Sequence, residues 1–186
     1  TDAAAKGLTP LADWIASCPR SGDPALQAEK YLKDQVPTVE EALQGAKDIL
    51  AERISDQAKL RWKIKEQIEK YGFILCKEKK KHEDENKVYK MYYDFTSRVI
   101  SIPNHCIMAM DRAEKEKVIT VSIQFDEQYC INWAIRRFTK NRESIVKEQI
   151  EMAVTDGIKR LAIPSIENTI RAELSERAQK SSIDVF

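Results

Sequence analysis

Two long apolar stripes near the end of the chain constrain its fold most. Between Asn141 and Lys180, residues Ile145, Val146, Ile150, Ala153, Val154, Ile158 and Leu161 recur near the helical period, with polar residues on the other faces. Ile166, Ile170 and Leu174 form a second stripe beyond Pro164. A residue before proline is pushed away from helical dihedrals, so Ile163 is expected to end the first helix. Pro164 has no amide to lose in the first turn of the second. Two such stripes need a surface to cover. They mark a scaffold segment of a larger protein and speak of architecture more than of chemistry.

The remaining bulk properties agree. At 186 residues the chain can form one or two domains with a sizeable core. With 42% hydrophobic and 33% charged residues, few glycines and few prolines, it reads as a soluble, helix-rich protein. The net charge of +1 gives no global reason to bind nucleic acid, although local patches can still do so. No apolar run approaches the roughly 20 residues that cross a bilayer, and Thr1-Asp2-Ala3 does not open a signal peptide. The missing initiator methionine suggests an excised fragment; removal of a leader or tag would look the same. Cys18, Cys76, Cys106 and Cys130 are widely spaced, which favours free thiols in an intracellular protein over a disulfide framework.

Cap and turn signals divide the first half into short helices. Thr9-Pro10 and Asp23-Pro24 each offer a capping side chain followed by proline. Val36-Pro37 is read as a stop, and Thr38 with Glu41 as a capping box ahead of the stripe Ala42, Leu43, Ala46, Ile49, Leu50 and Ile54. Gly45 inside that stripe is either a close-packing site or a tolerated defect. A helix from about Asp56 to Tyr71 ends at Gly72. Phe73 to Cys76 is too short a run to choose between strand and helix. Lys77 to Lys87 reads as an exposed loop or solvated turn. The spacing of Tyr89, Tyr92 and Tyr93 fits a packed helical face ahead of a base-stacking platform, and Ile102-Pro103 precedes another helix. Ile119, Val121, Ile123 and Phe125 alternate with polar residues as in a strand, for which Phe73 to Lys79 is the expected partner. A last helix starts after Asp126. The expected fold is mainly α, a multi-helical bundle of helical hairpins that admits a small two-stranded β element. The expected organisation is 1–72 as N-terminal helical hairpins and 73–186 as a helical region with the β element and the two long helices.

No catalytic constellation emerges. His105-Cys106 lacks the paired spacing of a zinc site, and neighbouring residues rarely aim at each other as a catalytic dyad, so no metal, cofactor or enzymatic activity is expected. The candidates for contact with nucleic acid are the local excess of Lys59, Arg61, Lys63, Lys65, Lys70, Lys77, Lys79, Lys80 and Lys81, together with Arg136, Arg137, Lys140 and Arg142. Against them stands the ordinary role of such residues as a solvated face.

Four blocks carry a resemblance: Gly7 to Trp14 (GLTPLADW), Glu40 to Ile54 (EEALQGAKDILAERI), Ile102 to His105 (IPNH) and Leu161 to Glu167 (LAIPSIE). In order and spacing the chain resembles the bacterial Tex family of transcription accessory proteins. Ala113, where the family tends to have glycine, and Cys106, where it tends to have a basic residue, are small departures. The resemblance implies the helical region that precedes an RNase H-like domain, within a cytoplasmic, RNA-binding, multidomain protein. It implies a non-enzymatic scaffold that links flanking domains and adds a basic face for RNA or DNA, with the transcription machinery as a further partner and no membrane. The alternatives are a protein-docking module with an open apolar face on 141–180 and a fragment of a nucleic-acid-processing enzyme. A bridging role predicts that part of the Ile145 to Leu174 surface stays exposed.

Overall fold

The structure, a computed structural model, describes residues 1–184. Its first half holds α1 (Asp2–Ala5), α2 (Thr9–Ala16), α3 (Pro24–Glu29), α4 (Val39–Ser55), α5 (Ala58–Tyr71), β1 (Phe73–Glu78) and β2 (Asp94–Arg98). There follow α6 (Asn104–Lys115), β3 (Ile119–Gln124), α7 (Glu127–Phe138), α8 (Lys147–Asp156) and α9 (Ile163–Asp184). The fold is mainly α with one small antiparallel sheet. It divides into two compact units, each built from separated stretches: 1–62 with 127–164, and 63–126 with the chain from Ser165 onward.

In the first unit, local cap chemistry sets several helix starts. Asp23 Oδ1 accepts from the Ala25 amide at 2.9 Å, and Thr38 Oγ1 accepts from the Glu41 amide at 3.2 Å, each satisfying an orphan donor. Thr9 does not cap: it is the first residue of α2, and Leu8 holds the cap position. α3 stops at Glu29, well before Val36-Pro37, and Val36 pairs with Lys33 in an isolated bridge. Buried Ala42, Ala46, Ile49, Leu50 and Ile54 make α4 the central helix of this unit. Gly45 and Gly157 permit close approach to it. A Cβ on Gly45 would lie 2.3 Å from Leu8 Cδ1, and one on Gly157 would lie 2.6 Å from the Ala51 carbonyl oxygen. Gly45 is therefore a packing site.

The expected break at Ile163 does not occur. Residues Gly157–Ala162 form a π-helical segment that joins α8 to α9, and Ile163 keeps helical dihedrals (φ −59°, ψ −52°). In a regular α-helix the Pro164 ring would meet the carbonyl four residues back. The wider π turn moves that carbonyl aside, so the helical path continues through the proline. Along this run Val146, Ile150, Ala153, Val154, Ile158, Ile166, Ile170 and Leu174 are buried. Ile145 and Leu161 are half-buried, and Met152 is 49% exposed. The stripes are thus largely covered within the chain, while Ile145, Leu161 and Met152 leave part of the Ile145 to Leu174 surface exposed.

In the second unit, β1 lies between β2 and β3 and is antiparallel to both. The expected pairing of the Phe73 segment with the 119–125 strand is present, with Ile74 opposite Ile123 and Cys76 opposite Val121. The sheet has three strands because Asp94–Arg98 adds β2, which the sequence reading did not anticipate. Tyr89 and Tyr92 are buried as expected, but they lie in and beside a short 3₁₀ turn (Lys90–Tyr92), not on a helical face. Asp84 organises this connection: its carboxylate accepts from the Val88 and Tyr89 amides and from the Tyr93 hydroxyl, at 3.1, 3.0 and 2.5 Å. All four cysteines are free and buried.

Two helices end in Schellman turns with lysine in the left-handed position. At α6 the Val118 amide donates to Ala113 O, with Lys117 at φ +63°. At α7 the Asn141 amide donates to Arg136 O, with Lys140 at φ +56°.

Candidate nucleic-acid interface

The sequence candidates fall into both units and have unequal freedom. In the second unit, Lys65 is held by Glu173 at 2.8 Å and by Glu69 at 3.6 Å, and its hydrogen bond to Glu173 is the main reason its pKa lies above the ordinary lysine value. Lys70 lies 3.8 Å from Glu66, and Lys77 pairs with Asp94 across the sheet. Lys63 and Lys79 are half-buried, and Lys80 and Lys81 are exposed on the connection between β1 and β2. In the first unit, Lys59 is exposed, and half-buried Arg61 donates from Nη1 to Ser55 O at 3.0 Å.

Arg136, Arg137, Lys140 and Arg142 come together around the end of α7. Arg136 and Arg137 occupy its last turn, where cations suit the helix dipole. Arg137 lies 5.7 Å from the centre of the Trp133 ring, within cation–π range. Thr139 is buried and donates from Oγ1 to Ile135 O at 2.6 Å, tying off the helix end. The Schellman turn then brings Lys140 and Asn141 out in left-handed conformation. Among the described residues, neither Arg136, Arg137 nor Lys140 has a carboxylate partner.

Arg142 has a structural task. Its Nη2 donates to Ser17 O and Cys18 O, both at 3.1 Å, and so caps the C-terminal end of α2. Ser144 Oγ and the Ile145 amide bond to Pro19 O at 2.7 and 3.2 Å beside it. These bonds stitch the α7–α8 turn to the end of α2 and hold the basic turn in place. A cleft of about 420 Å³ on one side of the turn is lined by Asn132, Arg136, Asn141, Arg142 and Lys147, with Glu143 and Glu151 as counter-charges. A second, of about 500 Å³, is lined by Arg20, Arg142, Glu143, Ser144 and Ile145.

Arg20 and Lys147 were not among the sequence candidates. Arg20 is carried to the turn only by the tertiary fold, whereas Lys147 opens α8 directly after it. The arrangement suits phosphate contacts: guanidinium and ammonium groups on a rigid turn, next to amide side chains and one aromatic ring. It brings together no nucleophile, base and orienting group.

A family model described as Tex central region-like matches residues 19–186. The chain belongs to the Tex family. It is 38% identical over its whole length to the uncharacterized protein YdcI of Bacillus subtilis, covering 26% of that protein. It is 33% identical over 63% of its length to Protein tex of Bordetella pertussis, covering 15% of it. It is 28% identical over 58% of its length to the human S1 RNA-binding domain-containing protein 1, covering 12% of it. The chain therefore spans about a quarter or less of the length of these relatives. Among the described residues no helix is long and apolar enough to cross a membrane.

Proposed function

We propose that this chain is a non-enzymatic helical region of a nucleic-acid-binding transcription accessory protein, and that it adds a basic contact for RNA or DNA at the end of α7. The observation that carries this reading is the group Arg136, Arg137 and Lys140, presented on one stitched turn without carboxylate partners among the described residues. Relatives named as a transcriptional accessory protein and as an S1 RNA-binding domain protein support the setting. A scaffold that holds flanking domains in register is the broader role. Burial of the 141–180 stripes removes the open apolar face on which a pure docking module would depend.

The test is fluorescence anisotropy with labelled single- and double-stranded oligonucleotides at low salt. Binding is expected in the micromolar range and indifferent to sequence. The combined variant Arg136→Gln, Arg137→Gln, Lys140→Gln should weaken it about tenfold and flatten the log–log salt slope by about 2 to 3, as losing three phosphate contacts requires. Lys65→Gln, Lys70→Gln, Lys77→Gln is the control, because those cations are already paired. No micromolar binding at low salt, or equal loss in the control, refutes the proposal.

A further inference from the structure

The helix that leads into the basic turn carries an aromatic stripe. Tyr129, Trp133 and Arg137 stand four residues apart on α7, so they share one helix face, one above the other. Eight residues at about 1.5 Å each spread them over roughly 12 Å, the length of about three stacked bases at 3.4 Å. Tyr129 is 41% exposed. Trp133 is half-buried, with the Arg137 guanidinium over its ring, 5.7 Å from the centroid. Tyr89 and Tyr92, the other aromatic group on which bases could stack, are buried in the second unit.

The charge along this face rises towards its C-terminal end. From Glu127 to Arg142 the sequence holds four cations and one carboxylate, Glu127, which opens the helix at the end away from the cations. Asp126 stands just before it, and Glu143 and Glu151 line the cleft beside the turn. Arg136, Arg137 and Lys140 have no carboxylate partner among the described residues. Aromatic rings that run into such cations match the two repeating parts of a single strand, since every base has a π-face to stack and every nucleotide carries a phosphate. Arginine planes also stack on unpaired bases, so the guanidinium over Trp133 extends the platform. A duplex keeps its bases stacked inside and offers the rings only its backbone.

We propose that Tyr129 and Trp133 are base-stacking residues of the α7 contact. Bases of a single strand lie against the Tyr129 ring and the Arg137-capped Trp133 ring, and the phosphates that follow meet Arg136 and Lys140. This inference rests on the phosphate contact proposed above and adds the bases to it. Stacking accepts any base, so the contact is tolerant of sequence.

The probes are a labelled twelve-nucleotide oligothymidylate and an abasic strand of the same length and charge, titrated into the whole chain at low salt. The base-bearing strand should bind at least fivefold more tightly than the abasic one. Tyr129→Leu and Trp133→Leu should each remove about fivefold for the base-bearing strand, and leave abasic binding and the salt slope as in the parent. Tyr129→Phe, which keeps the ring, should bind like the parent. In a Trp14→Phe, Trp62→Phe background Trp133 is the sole tryptophan, and its fluorescence should be quenched by oligothymidylate and not by the abasic strand. Equal binding of the two strands overturns the stacking and leaves the phosphate contact standing, whereas failure of both to bind overturns both. A folded leucine variant that loses nothing, or that loses as much for the abasic strand, also overturns the stacking. Should Trp133→Leu not fold, Tyr129→Leu and the quenching of Trp133 decide the matter. An acidic, tyrosine-rich peptide that binds more tightly than oligothymidylate assigns the face to a protein and overturns the proposal as well.

Discussion

Gly157→Ala should destabilise the protein although alanine is the better helix former. The added Cβ would lie 2.6 Å from Ala51 O and 3.2 Å from the Ala51 carbonyl carbon and Cα, where ordinary contact begins at 3.4 Å. The obstacle is backbone within α4, so the π segment and α4 must separate by about 0.8 Å, the difference between 3.4 and 2.6 Å. Overpacking against a rigid neighbour costs up to ~3 kcal/mol, and the gain in helix propensity returns ~1 kcal/mol. The net loss is ~2 kcal/mol, which lowers a urea midpoint by about 1 M for a slope near 2 kcal/mol/M. Urea unfolding followed by circular dichroism measures it. A double-mutant comparison sharpens the reasoning. Gly45→Ala meets the end of a side chain, Leu8 Cδ1 at 2.3 Å, so its cost should shrink or reverse in a Leu8→Ala background. Ala51→Gly should not rescue Gly157→Ala, because the clash is with a carbonyl that glycine retains. A Gly157→Ala protein as stable as the parent would refute the close approach.

Three further outcomes concern the second unit. The Asp84 carboxyl is pushed up by desolvation but held below its ordinary value overall by hydrogen bonds from Tyr93, Tyr89 and Val88. Its stabilising effect is therefore present above about pH 3.9 and is lost as pH falls through the lower folded value. Asp84→Asn should speed amide exchange at Val88 and Tyr89 already at neutral pH, and unchanged exchange would rule out the anchor. The Tyr93 hydroxyl, raised to about 12 mainly by its bond to Asp84, should ionise after ordinary tyrosines in an ultraviolet titration. Its stabilising effect is present below the ordinary tyrosine value, near pH 10, and is lost as pH rises towards 12. Arg171→Met leaves Asp111 and Glu114 facing each other, with the arginine side chain only 19% exposed in the parent. A stability loss of about 2 kcal/mol is expected by chemical denaturation, below the 3–5 kcal/mol of a fully buried pair because both carboxylates reach solvent.

What was legible in the sequence was what acts over a few residues. Asp23 and Thr38 cap because their partners are two and three positions away, and β3 declares itself by strict alternation. β2 was hidden because Tyr89, Tyr92 and Tyr93 mimic helical spacing just ahead of it, and because Asp94–Arg98 holds one large apolar residue, Phe95. The proline rule failed at Ile163 because a π turn satisfies the same steric demand without breaking the helix. The basic candidates were legible as residues but not as roles. Arg142 bonds to carbonyls 124 and 125 positions away, and nothing in its neighbourhood separates that cap from the exposed cations Arg136 and Arg137.

The lysines at the left-handed ends of α6 and α7 have a consequence for engineering. A side chain with a Cβ pays ~1 kcal/mol in that conformation, and glycine does not. The chain thus holds an unclaimed reserve of stability at two places. Lys117→Gly would draw on it without touching the basic turn, giving a hardier parent for every binding measurement above. Lys140→Gly would harden the protein and discharge the turn at once, so the two substitutions together separate a position that is merely suboptimal from one where robustness is traded for charge.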